Sequence, residues 1–245
     1  MKTLLHNRIL FFSLLIFLFT QACKKETTRA NNINASTQDN STTQKVKQLV
    51  LQPGPDDGYD TWLTWKRNDS VITNWNWDTV AITAAYAWTS SGVPITGRSL
   101  IKFKGLSAIP STATIISARL YMYGVENSIH LPVGNSLYAG SPYTQDNSMT
   151  VLQVAQNWNS KTVTWPTQPK VTRQDAVVIP ISNKQWNYDA NVDVTNMVAK
   201  MVANPSKNYG FMFRMAVEEI YKCMQFSSSN YYISERRPKL VVTYK

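Results

Sequence analysis

From Val46 onward the chain runs as short apolar bursts with turn residues between them. In "IISARLYMYG", Ala118, Leu120 and Met122 alternate with Arg119, Tyr121 and Tyr123, the period-two signature of a strand with one apolar face. Phe211, Phe213 and Met215 share a face in "GFMFRM", as do Leu240, Val242 and Tyr244 in "PKLVVTY". "VKQLVLQ", "SLIKF", "AVVIPIS" and "CMQFSS" read as further strands, and "PGPDDG" as a turn cluster. Many short strands punctuated this way predict an all-β, jelly-roll-like β-sandwich rather than an α/β fold. One segment changes period. Val194, Met197, Val198 and Met201 fall at i, i+3, i+4 and i+7, which predicts one short helix near residues 194–204. Asp193 or Thr195 can cap its start, and Asn204-Pro205 stops it.

The N-terminal region has a different texture. Lys2 and Arg8 precede the uncharged "ILFFSLLIFLF", which is too short for a comfortable membrane span and suits a signal peptide. Ala22 and Cys23 follow where the apolar run stops. This is the pattern of a bacterial lipoprotein processing site, with Cys23 as the lipidated residue. Residues 1–22 are thus expected to be a signal. Residues 23–45, rich in Asn, Thr and Ser with Ile33 as the one large apolar residue, are expected to be a flexible tether. Residues 46–245 form the folded domain, with a bacterial outer membrane as the expected location. Cys23 and Cys223 are the two cysteines of the chain, so lipidation of Cys23 leaves no internal disulfide. The formal charge of the whole chain is +10, and without Lys2 and Arg8 it stays at +8, with 23 basic residues against 15 acidic. Such a balance favours anionic partners. No dense Lys/Arg run occurs, and nucleic acid is not an expected partner.

Seven stations in order carry a family resemblance: "LQPGPDDGYDTWL", "TNWNWD", "RSLIKFKGLSAIPSTATIISARLYMYG", "NWNSKTVTWPTQP", "VDVTNMVAKMVANPSKNYGFMFRM", "MQFSSS" and "RRPKLVVTY". Together they span Leu51 to Tyr244. The chain resembles the DNRLRE-domain proteins, found among secreted and lipid-anchored proteins of Bacteroidetes-type bacteria. The resemblance implies a jelly-roll-like sandwich of the carbohydrate-binding-module type, with alginate-binding modules among its relatives. Two departures stand out. Lys104 and Gly105 in "FKGLS" replace the family's Asp and add a residue, read here as a bulge, and Trp62 stands at the usual Tyr of the first strand.

The residues themselves argue against catalysis. His130 is the one histidine outside the signal, no GxSxG motif occurs, and zinc would need several His or Cys. The adjacent Glu218 and Glu219 point to opposite faces if extended, unlike a glycosidase pair. Asp56, Asp57 and Asp60 surround Gly58 in "PDDGYD". Two readings stand for them: hard oxygen ligands for a structural calcium, or an acidic turn bonded to its own backbone. All eight tryptophans lie in the folded domain, and an exposed indole stacks on the C–H face of a sugar. Most tryptophans are nevertheless core residues. Alternation places Trp62 and Trp65 on opposite faces of one strand. In "TNWNWD", Trp75 and Trp77 sit two apart among Asn74, Asn76 and Asp78, as a polar-aromatic binding loop or as a lid over one end of the sandwich. Trp62, Trp75, Trp77, Asn74 and Asn76 are therefore the candidate sugar-binding residues, with Lys66 and Arg67 as the nearby cations. Arg98 reads as a structural ion-pair partner. Trp165 is expected to be buried and Trp158 to pack in the loop before it.

The expectation is a non-catalytic surface lipoprotein that binds extracellular polysaccharide, acidic polymers such as alginate included. The alternative is a structural or adhesion module without a sugar pocket, and behind it a polysaccharide lyase using Tyr as base.

Overall fold

The computed structural model describes residues 45–245. The expected signal, tether and lipidated Cys23 lie outside the described residues, save Lys45. In chain order, β1 (Lys47–Leu51) and β2 (Asp60–Lys66) precede a one-turn helix, α1 (Ser70–Thr73). β3 (Ile82–Ser90) and β4 (Val93–Ile101) follow, then β5 (Ile115–Met122), β6 (Met149–Val154), β7 (Val171–Ile179) and β8 (Ala190–Asp193). After α2 (Thr195–Ala203) come β9 (Phe211–Met215), β10 (Lys222–Ser227) and β11 (Lys239–Tyr244). The strands form an all-β sandwich. One sheet has four strands in the order β1-β11-β5-β8. The other has seven, running β10-β3-β4-β9-β6-β7 with β2 joined to β4, and curls into a half-barrel.

The alternations read from sequence carry the contact between the sheets. Ala118, Leu120 and Met122 of β5 and Leu240 and Val242 of β11 are buried against Phe211, Phe213 and Met215 of β9 and Met149 and Val151 of β6. α2 lies at the expected place and buries Met197, Val198, Met201 and Val202 in the same core. Asp193 and Thr195 act at its start, though not as the cap. Val194 occupies that position, the Asp193 carboxylate accepts from the Thr195 N–H (2.9 Å), and the Thr195 hydroxyl accepts from the Ala118 N–H (2.9 Å). Asn204 and Pro205 end the helix, as expected. "FKGLS" is not a strand bulge. Lys104–Ala108 forms a 3₁₀ turn instead, because the chain leaves the sheet there and seats Leu106 in the core.

The seven-stranded sheet is apolar on both faces, which alternation could not predict. Consecutive residues Trp62 and Leu63 are both buried, in two different clusters. Leu63, Leu100, Leu152 and Met212 meet Trp158 and Val163 of the "NWNSKTVTW" loop, which covers that face. Trp158 is the buried tryptophan of this loop, its indole N–H donating to the Tyr209 carbonyl (2.7 Å). Trp165 is only half-buried, contrary to expectation: it packs at the margin of this cluster with the Arg98 guanidinium over its ring at 4.4 Å. Arg98 itself forms a two-pronged pair with Glu218 (2.7 Å for both bonds) and bonds Gln168, the structural role read for it.

The curl originates at β4. β2 pairs along its whole length on one edge, Asp60↔Ile101 through Lys66↔Ile95. The other edge is shared. β3 takes it from Val93 to Gly97, then β9 takes Ser99 to Ile101. At the changeover the Ser99 hydroxyl replaces the missing ladder bonds, accepting from the Ala84 N–H (2.8 Å) and donating to the Ala84 carbonyl (2.7 Å). Two positions earlier, the Tyr86 ring crosses directly over Gly97 to reach the Thr64 hydroxyl at 3.0 Å. A Cβ at residue 97 would lie inside that ring. Gly97→Ala is therefore expected to destabilise the domain by about 2–3 kcal/mol, as overpacking of a rigid core does. Urea denaturation measures this, and an unchanged midpoint contradicts the contact.

Candidate functional site

The segment Lys66 to Asp78 is held from both ends. At its start Asp69 caps α1, accepting from the Ile72 N–H (3.0 Å), and forms an ion pair with Lys66 (3.1 Å). The Ile72 N–H bond and Lys66 keep the Asp69 carboxyl below its ordinary range. The Thr73 hydroxyl exchanges bonds with the Lys66 backbone (3.1 and 3.3 Å). At the other end the Asn76 amide donates to the carbonyls of Ser160 (2.7 Å) and Val163 (2.8 Å), and its oxygen accepts from the Asp78 N–H. The loop is thus clamped to the stretch covering the sheet's opposite face. Asn74 is also occupied, closing α1 by donating to the Ser70 carbonyl (2.8 Å). Asn76 positions the loop with both its donors, whereas the exposed Asn74 commits one N–H and leaves the rest of its amide open.

The three tryptophans do come together, but not as a side-by-side shelf. Trp77 stacks on Trp62 (centroids 5.3 Å, 26° between planes) and on Trp75 (5.5 Å, 24°). The middle ring has a neighbour on each side. Trp62 is buried at 4% exposure and forms the base of the stack, edge-on to Tyr86 at 5.4 Å. Trp75 is 51% exposed, which leaves it the one ring of the three with a free face. Trp62 thus supports the stack from beneath and also lines the cavity beside it. The Trp77 indole N–H is buried without a hydrogen-bond partner. The Trp62 indole N–H is likewise buried without a partner, and burial pushes the neighbouring Tyr86 hydroxyl pKa up.

Beside the stack is a half-open cavity of about 340 Å³. Trp62 and Trp77 form one wall, Trp88 and Ile95 another, and the loop Leu131–Val133 a third, with Lys66, Thr89 and Ser90 also lining it. His130 stands edge-on to both Trp62 and Trp77 (6.3 and 6.0 Å). Trp88 also belongs to an outer aromatic group with Tyr143 (4.6 Å) and Tyr221 (5.3 Å). Tyr221 holds φ at +72°, a strained backbone for so bulky a residue. Sequence reasoning missed Trp88, Tyr143 and Tyr221, whose mutual contacts join segments far apart in the chain. Cys223 lines the cavity, but complete burial pushes its thiol pKa up and makes it inert. Of the expected cations, Lys66 lines the cavity and Arg67 is exposed at the next position. Other tyrosines are less suited to stacking. Lys239 covers Tyr121 (4.9 Å) and Tyr123 (5.5 Å), and Lys102 and Lys104 flank Tyr59 (5.5 and 5.3 Å).

The acidic turn does not gather its three carboxylates. Asp57 accepts from the Gly54 N–H (2.6 Å), the self-bonded turn among the two readings. Asp60 is buried and accepts from the Ser229 N–H (2.7 Å) and hydroxyl (2.8 Å). Asp56 is exposed. Among the described residues no group of three or more His, Cys, Asp or Glu is arranged to hold a metal. Glu218 and Glu219 part as expected, Glu218 towards Arg98 and Glu219 towards Lys222 (3.2 Å).

A rigid, half-exposed indole beside an aromatic cavity on a β-sandwich suits the apolar face of a sugar. Residues 68–244 match the model of carbohydrate-binding module family 96, and the chain belongs to that family. The resemblance to DNRLRE-domain proteins holds to the extent that both point to a carbohydrate-binding module. The match begins after β2, so Trp62 and the acidic turn lie outside it. No curated protein matches the chain. Carbohydrate binding in general is the activity this membership supports.

Burial pushes the Asp60 carboxyl from 3.8 up to about 6, against the two Ser229 bonds and with some repulsion from Asp78. A raised carboxylate pKa means the folded state holds the proton more tightly. The Asp60 contribution to stability therefore falls as pH rises from about 4 through 6. Asp69, Asp146 and Asp193 are shifted the other way and lose stability in acid, so a difference measurement is needed. The stability of Asp60→Asn relative to wild type is expected to rise between pH 4 and pH 7.5, by of order 3 kcal/mol. Thermal melts across that range check it, and a constant difference contradicts it.

Proposed function

We propose that this chain is a non-catalytic, lipid-anchored module of a bacterial outer membrane that binds extracellular polysaccharide through the outer face of Trp75. The single observation that carries this reading is the stack Trp62–Trp77–Trp75, which fixes one indole with a free face beside a cavity. A preset ring loses little freedom on binding. Family membership supports the substrate class. Arg67, exposed beside the cavity-lining Lys66, the absence of any Asp or Glu from the cavity lining, and the basic balance of the chain support acidic polymers such as alginate. The signal-like N-terminus ending at Cys23 supports the anchor.

One experiment with two variants tests both parts. The full chain is expressed in a Gram-negative host, fractionated, and the detergent-solubilised protein run on affinity gels containing alginate or neutral glycans. Wild type is expected in the membrane fraction and retarded by alginate. Cys23→Ala should leave the membrane fraction but keep its retardation, and Trp75→Ala should stay in the membrane and lose it. Retardation by alginate or any neutral glycan that survives Trp75→Ala overturns the platform, and no retardation by any gel favours a structural module. Membrane association unchanged in Cys23→Ala overturns the anchor.

A further inference from the structure

The walls of the cavity say which part of a glycan fits it. Trp62, Trp77, Trp88, Ile72, Ile95 and Val133 enclose it with apolar surface. The polar side chains in it are few, and two are already engaged: the Thr64 hydroxyl with Tyr86 (3.0 Å) and the Lys66 ammonium with Asp69 (3.1 Å). No Asp, Glu, Asn, Gln or Arg lines it. Those are the side chains that hold sugar hydroxyls through two atoms at once, and the polar side chains left to a ligand are Thr89, Ser90 and His130. A pyranose edge buried here would leave hydroxyls unbonded, which is costly, whereas a methyl group gains by leaving water. At about 340 Å³ the space is at the small end of ligand cavities, which run from about 300 to 1,000 Å³. Trp77 belongs both to the cavity wall and to the stack that ends in Trp75, so the two features are continuous.

We infer that the cavity is a subsite for a methyl-bearing substituent of the glycan, the acetyl group of an acetylated sugar or the C6 methyl of a 6-deoxy sugar, while Trp75 stacks on the ring surface. This rests on the reading of Trp75 as the platform. The shared chemistry is a methyl group carried into an aromatic cavity, and the two sources are separated by matched probes. Solution titrations of the full chain in detergent, followed by tryptophan fluorescence, compare N-acetylglucosamine with glucose and L-fucose with L-galactose.

At least one methyl-bearing sugar is expected to bind roughly tenfold tighter than its partner, the discrimination one methyl group gives in an apolar pocket. A preference confined to the first pair assigns the acetyl group, and one confined to the second assigns the 6-deoxy methyl. Ser90→Trp, which fills the cavity from the β3 side, should bring the ratio to about one. Pro132→Trp should do the same from the opposite loop and serves if the first variant fails to fold. Sugar binding that is lost in Trp75→Ala but shows no preference for the methyl-bearing member overturns the inference and leaves the platform standing. A preference that persists in both filled variants also overturns it. No Trp75-dependent response to any of the four sugars, together with no Trp75-dependent retardation on the polymer gels, overturns both readings.

Discussion

The missing side chain of Gly97 is the constraint from which the site is built. It lets the Tyr86 ring lie flat across β4 and reach Thr64, so β3 can tilt away from β4. The edge of β4 is then free for β9 from Ser99 onward, and the sheet curls. Tyr86, pinned in this way, presents its ring to the edge of Trp62. Trp62 supports Trp77, and Trp77 supports Trp75. Five residues, from a glycine in a strand to an indole in solvent, thus form one line of contact. Each ring is held by the one beneath it, and rigidity at the exposed end comes from burial at the other.

A second constraint keeps the loop from peeling off this stack. Asn76 sends both its donors across the molecule to Ser160 and Val163, in the loop that covers the opposite face of the same sheet. Buried polar contacts of this kind add specificity of position as much as stability, because an unpaired amide there would be costly. The two most tryptophan-rich loops of the chain are therefore one unit. One packs Trp158 and Val163 on the sheet and accepts the clamp. The other, once clamped, carries Trp75.

The sequence was readable where one strand face meets the core and the other meets water. β5, β9 and β11 announce themselves by alternation, and α2 by its Val194–Met201 spacing. β3 did not, because every residue from Ile82 to Ala87 is buried and "ITAAYA" carries no period. β2 reads as a strand, but alternation does not say which face is inside, since Trp62 and Leu63 serve two different clusters. At the site, the local mix of Trp and Asn does not show which of these side chains are already engaged. The partners of Asn76 lie 84 and 87 residues away, beyond any local pattern. The stacking of Trp77 between Trp62 and Trp75 depends on the same distant contacts, as does the grouping of Trp88 with Tyr143 and Tyr221. Composition told that aromatic and polar residues meet in this loop. Only the fold told which of them remain free to meet a sugar.

The central claim is that one indole face, fixed by this line of contacts, receives the glycan. A crystal structure of the domain with the tightest-binding oligosaccharide from the affinity gels tests it most directly. The account predicts a sugar ring stacked on the outer face of Trp75, with the order Trp75, Trp77, Trp62 unchanged beneath it. A glycan bound instead along the outer face of the four-stranded sheet, over Tyr121 and Tyr123 with Trp75 left in solvent, would contradict it.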